Sequence, residues 1–362
     1  MSAATDRNLT RGGPARSDTM TEGPGRTSVR QALSFQNISS VYLLILVVVV
    51  FAIWIPDLFL KTQTIAQIAN ENAIPGIVAL ALIVPLAAGV YDLSVGYTLG
   101  AVSVWVAWLL GSTSLSPAIC IALGLAMALV IGICNGIIVV VMKVDSFIGT
   151  LASGSLLTAL TLVISGNTPL TQGIGENFTA VAQTKIGQFT LPVFYALVVA
   201  VVIWYFLEHR AIGRMAHASG LAPEPARLAG VQVDAIRFGS LVVSGLLAGI
   251  GGVLLTATVG GGSPSVGPGY LIPAFAAAFL GATQLKGGLF NAWGTVLAVI
   301  LLGTVYNGLT LAGVPVWTPF VVQGVVLIAA LALAGFKRRT SGGEAEAPAD
   351  ELAEAATDAA RP

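Results

Sequence analysis

Few residues in this 362-residue chain have the chemistry to cleave a bond, hold a metal or carry a proton. Asp92 stands in YDLSVGYTLGA (91–101), where one long apolar run ends and another begins. The two histidines, His209 and His217, both fall in a polar block, and the two cysteines, Cys120 and Cys134, share one apolar segment. Those cysteines are separated by roughly 21 Å along a helix rising 1.5 Å per residue, too far to bridge. No His, Cys or carboxylate cluster shows metal-site spacing, so neither a metal nor another cofactor is expected on this chain. SGSLL at 153–157 lacks a histidine partner that would make its serine nucleophilic. No lysine follows a glycine, which removes the phosphate loop G-x-x-x-x-G-K-[ST]. No catalytic residue is assigned, and a membrane-bound enzyme is disfavoured.

Asp92 then has three readings: a proton-coupling acid, a helix cap, or a fixed structural joint in a transport pathway. It can act as a proton-coupling acid, since intramembrane ionisable groups commonly serve function. Alternatively its short carboxylate caps a helix beginning at Leu93 or Ser94, where backbone N–H groups and the helix dipole favour an anion. The cap reading accounts for the Gly/Ala-rich helix that follows at once. It is preferred because the apolar spans hold almost no other acid; Glu71 and Glu176 are placed outside them.

The elements that position these residues are set by composition. Charged residues make up 9% of the chain and hydrophobic ones 56%, against a usual charged share of about a quarter; mean hydropathy is +0.88. This describes a polytopic membrane protein. A formal net charge of zero gives no drive toward nucleic acid. Apolar stretches at 41–56, 73–91, 93–111, 118–142, 146–166, 191–207, 236–259, 270–285, 289–311 and 317–336 are interrupted by Gly, Pro or charge. The expected fold is therefore all-α, with about ten transmembrane helices in a domain spanning 41–336. Residues 1–40 read as a disordered cytosolic leader and 337–362 as a disordered acidic cytosolic tail. Segments 2–3 and 8–9 are candidates for broken or re-entrant pieces, which survive at membrane depth only inside protein or along a water-filled path.

With the N-terminus in the cytosol, 15 of 17 basic residues fall on inside segments, Lys61 and Lys185 being the exceptions. That follows the positive-inside rule and places both termini in the cytosol. The largest internal polar block, 208–235, lands on the same side. Within it ARLAGV (226–231) reads as a helical fragment, begun by Pro223 and Pro225 and stopped by Gly230. Two readings stay open: an ordinary loop, or a short surface helix that docks another protein.

Many of the 42 glycines sit in the spans and allow close helix approach. A polar path through them needs neutral groups, and Asn135, Ser153, Ser155, Thr158, Ser165, Asn167, Asn291, Asn307 and Gln323 are candidates. Such groups suit an uncharged hydrophilic cargo better than an ion. Asn-Gly recurs at 135–136 and 307–308, at opposite ends of their spans, as a five-plus-five inverted repeat predicts.

These stretches resemble a known family. Asp92-Leu93-Ser94-Val95-Gly96, Asn135-Gly136, FIGTL (147–151), ARLAGV, VSGLLAGIGGVLL (243–255), GYLIPAFAAAFLGATQLKGG (269–288) and GTVYNGLTLAGV are similar to the permease subunits of bacterial ABC importers for ribose, xylose and related sugars. That family shares a domain with branched-chain amino acid permeases, and the similarity runs from about 60 to 335. Here Val90 and Tyr91 replace the two residues before the family's Asp. The resemblance implies a bacterial cell-membrane, multi-pass subunit that imports a simple sugar. It implies a cytosolic ABC ATPase partner that uses ATP and Mg, an extracytoplasmic sugar-binding protein, and a second permease subunit, identical or paralogous. It also implies that Gly220, Glu224, Ala226, Arg227, Leu228 and Gly230 belong to the ATPase-coupling loop, in which Leu221-Ala222 and Pro225 depart from the usual pattern. An amino acid or nucleoside permease of the same class, and an ion-coupled secondary carrier, are the alternatives.

Overall fold

In the computed structural model, residues 39–284 and 288–342 are described. The expected leader, the acidic tail past 342 and the centre of the LKGG match lie outside them. Fourteen α-helices are present among the described residues, with one two-residue hairpin, β1 (Lys185–Ile186) to β2 (Phe189–Thr190). Seven helices are long and apolar enough to cross a membrane, consistent with the roughly 20 apolar residues a span needs.

The helices follow in chain order. The entry helix α1 (Ser39–Trp54) and the short α2 (Pro56–Phe59) lead into α3 (Thr62–Ala87). Then come α4 (Val95–Ser112), α5 (Pro117–Gly136), which unwinds into a π turn over Ile137–Val141, and α6 (Ser146–Ser165). After the amphipathic α7 (Glu176–Gln183), α8 (Leu191–Trp204) ends in a second π turn, Tyr205–His209. The polar block folds into α9 (Ala211–Leu221) and α10 (Pro223–Leu228). The chain re-enters the bundle with α11 (Val233–Val259), then a 3-10 turn (Gly267–Tyr270), α12 (Leu271–Gln284), α13 (Ala292–Leu311) and α14 (Thr318–Gly342).

Two boundaries differ from the sequence expectation. Helix α3 begins eleven residues before the apolar run at 73, so Glu71 lies within a helix instead of outside the spans. Its polar first turns are held by the hairpin: Asn70 Nδ2 donates to Gln188 O at 3.0 Å, and Thr190 N donates to Asn70 Oδ1 at 2.8 Å. Helix α14 runs six residues past the expected limit of 336.

The core is built on α3, whose Ile77–Ile83 stretch is fully covered by α11, α12, α13 and α8. Helix α11 is the other central element, packed on α5, α4 and α3. Glycines let α5 and α11 touch: a side chain at Gly245 would meet the Gly132 backbone, and one at Gly249 would meet Ala128. In lipid such contacts supply packing that apolar burial alone does not.

Candidate functional site

The turn between α3 and α4, residues 88–94, is the polar centre of the bundle. Asp92 and Ser94 are fully buried there. Asp92 Oδ1 accepts from Ser94 N at 3.0 Å and from Ser94 Oγ at 2.6 Å, while Oδ2 accepts from Ser244 Oγ of α11 at 2.7 Å. Asn135 of α5 donates through Nδ2 to Ser94 Oγ at 2.7 Å. Helix α6 holds the same turn from another side: Tyr91 N donates to Ser146 Oγ at 3.1 Å and Leu93 N to Thr150 Oγ1 at 2.9 Å. One carboxylate thus ties the turn directly to α11, and Ser94 extends the tie to α5.

This corrects the cap expectation. The helix begins at Val95, its cap residue is Ser94, and no side chain caps it. Asp92 closes a tight turn two residues earlier and spends its second oxygen on α11. The side-chain cap of this region lies at Asp145, whose carboxylate accepts from Phe147 N at 3.0 Å and Ile148 N at 3.2 Å and starts α6. DSFIG carries an acid just before an apolar run, so the signal was present in the sequence.

Helix α9 closes the joint from below. Gly89 has φ +76°, a left-handed conformation open to glycine. A Cβ there would lie 2.8 Å from Gly220 Cα, and one on Gly220 would collide with Ala87 O. Arg237 of α11 donates from Nε to Ala88 O at 3.4 Å. Gly220 is therefore a close-contact position between the 208–232 segment and the Asp92 turn.

The neighbouring α10 presents Leu228 at 90% exposure, an apolar knob on a polar surface. Arg227 pairs with Glu224 at 2.7 Å and Asp234 at 2.8 Å, joining α10 to the start of α11. Ala226 is buried beneath it, and Gly230, at φ +87°, lets the chain turn away. A cleft of about 520 Å³ opens beside this segment, lined by Lys143, Asp145, Arg227, Asp234 and Arg237 among others.

Of the nine neutral path candidates, Asn135, Ser153, Thr158 and Asn307 do not meet in one place. Asn135 belongs to the Asp92 joint. Ser153 is buried in α6, and Thr158 turns its hydroxyl back to Gly154 O at 3.0 Å. Asn307 donates to Gly303 O at 3.1 Å and lines a separate cavity of about 160 Å³ with Glu71, Asn72, Tyr306 and Gln323. Sequence reasoning did not single out Ser146, Thr150 and Ser244; the signals were a hydroxyl in an otherwise apolar helix and, for Thr150 and Ser244, a place within the family-like stretches 147–151 and 243–255. Among the described residues, no three metal-ligating side chains gather.

Residues 64–331 match the family described as the branched-chain amino acid transport system / permease component. The chain belongs to this family. The ribose import permease protein of Escherichia coli K12 is 30% identical over 310 residues, covering 85% of this chain and 96% of that protein. Its Bacillus subtilis counterpart is 32% identical over 292 residues, covering 80% and 90%. The L-arabinose transport system permease protein of Escherichia coli is 29% identical over 328 residues, covering 89% and 98%. No solved structure matches the chain significantly. This is thus a multi-pass membrane permease, and the joint at Asp92 is a structural node of it.

Proposed function

We propose that the chain is the membrane subunit of an ATP-driven importer of a simple sugar, a pentose or related monosaccharide. The observation that carries this reading is the similarity to ribose import permeases over nearly their whole length. On this reading a separate cytosolic ATPase binds ATP and Mg, an extracytoplasmic binding protein delivers the sugar, and a second permease subunit, the same or a paralogue, completes the pathway. Both termini are cytosolic. The bundle has ten spans, α1, α12 and α14 joining the seven long helices, in a five-plus-five inverted repeat. Ser-Val-Gly occurs at 94–96 and again at 265–267, and the two copies touch, since a side chain at Gly96 would meet Gly267 O. Contact between equivalent breaks near mid-depth supports a two-fold relation in the membrane plane.

Gly220, Glu224, Ala226, Arg227, Leu228 and Gly230 form the coupling segment. Leu228 is its exposed contact, and Gly220 passes movement to the 88–94 turn, from which Asp92 carries it to α11. ATP acts by favouring one of two arrangements of this joint, because a ligand shifts states only through its different affinity for them. Asp92, Leu93, Ser94 and Gly96 hold the joint together as it moves and carry no proton. The test changes Glu224 and Arg227 and measures both ATPase association and sugar uptake; if neither changes, the segment has no coupling role. An amino acid cargo is the second reading, favoured by the family's description. Uptake of labelled pentoses, hexoses and branched-chain amino acids in a deletion strain separates the two.

A further inference from the structure

The connection between α11 and α12 enters the bundle as non-helical chain from Gly260 to Val266, ahead of the 3-10 turn at Gly267–Tyr270. Gly262 pairs with Leu170 through backbone bonds of 2.8 and 2.9 Å and sits against Ser103, Val104 and Ala107 of α4. Five residues later, Gly267 lies against Gly96 and Gly100, nearer the start of that helix. Leu99, at the same level, touches Gly252 of α11, seven residues before that helix ends at Val259. At 1.5 Å per residue the segment has therefore descended roughly 10 Å below the end of α11. The N–H groups of Ser263, Ser265 and Gly267 find no acceptor among the described residues, and Ser265, Pro268 and Gly269 are exposed at this depth.

Irregular backbone with unpaired polar groups does not face hydrocarbon; it is either enclosed by protein or lines water. The 88–94 turn takes the first course: Asp92 and Ser94 are sealed and hydrogen-bonded. The 263–270 segment takes the second. We propose that 263–270 lines the water-filled outer entrance of the solute route, and that the free N–H groups and hydroxyls of Ser263 and Ser265 form a subsite for a neutral polyhydroxy solute. The two hydroxyl oxygens stand 3.3 Å apart, close enough to engage neighbouring hydroxyls of one ligand. The subsite rests on the sugar-import reading; the water-lined entrance does not.

Thiol labelling tests it in cells expressing the assembled importer, after Cys120→Ala and Cys134→Ser remove both native thiols. Ser265→Cys should react with a membrane-impermeant methanethiosulfonate on the order of tenfold faster than Leu46→Cys on the apolar face of α1, because only thiolate reacts and an apolar setting suppresses it. Added D-ribose, D-xylose or L-arabinose should slow the labelling by severalfold. Equal rates at the two positions, or disulfide-linked copies through Ser265→Cys without labelling, overturn the proposal. If Ser265→Cys does not reach the membrane, Ser263→Cys carries the same comparison. Fast labelling that none of the sugars slows removes the subsite and leaves the water-lined entrance. Failure of all sugar uptake by the unmodified importer sinks the transport reading independently of the labelling rate.

Discussion

Asp92 accepts hydrogen bonds from three donors, two on Ser94 and one on Ser244. Removing it strands those donors in a sealed site. Asp92→Ala should destabilise the detergent-solubilised protein by at least about 3 kcal/mol, since each of the three buried donors left unsatisfied costs roughly 1–3 kcal/mol. Asp92→Asn retains an acceptor oxygen for Ser94 and should keep most stability and uptake. A proton carrier would behave otherwise, losing uptake with Asn while remaining folded. Thermal denaturation and labelled-sugar uptake of the two variants distinguish these roles. At Asp145 the carboxylate caps α6, and Asp145→Ala should lower stability by about 1 kcal/mol, the usual worth of a helix cap.

The decisive element contact is that of α9 with the 88–94 turn, and it depends on two glycines. Gly220→Ala puts a methyl group against Ala87 O. Overpacking of a tight contact costs about 1–3 kcal/mol, and here it would also separate the proposed coupling segment from the joint. Uptake should fall severalfold while ATPase association persists, measured by co-purification and transport in the same strain. Glu224→Ala and Arg227→Ala act differently. The Arg227 pairs are exposed, and exposed pairs contribute at most about 1 kcal/mol. Those variants should keep their stability and lose ATPase association, which would divide the element into a docking part at α10 and a transmitting part at α9.

For the whole molecule, the proposed importer requires outside energy. The purified chain in liposomes should not accumulate sugar under a proton or sodium gradient, and uptake should appear only when the ATPase, the binding protein and ATP are supplied. Accumulation by the chain alone would identify a secondary carrier. Much of the architecture was legible beforehand because lipid imposes a simple rule: long apolar runs become helices. The runs at 93–111, 146–166 and 236–259 match α4, α6 and α11 within a few residues. The rule fails where helices carry polar residues, so the start of α3 at Thr62 was hidden by TQTIAQIANEN, whose partners lie more than a hundred residues away in the hairpin. The site followed the same division. Asp92 and Asn135 stood out as rare polar groups in an apolar chain, and Pro223 and Gly230 marked a short helix. That Ser244, Thr150 and Gly220 converge on the turn around Asp92 could not be read, because a serine, threonine or glycine in a helix looks the same wherever it points. Composition and local chemistry determined the membrane, the helices and the family resemblance; tertiary packing alone decided which hydroxyls share a carboxylate and which broken segment is left with exposed residues.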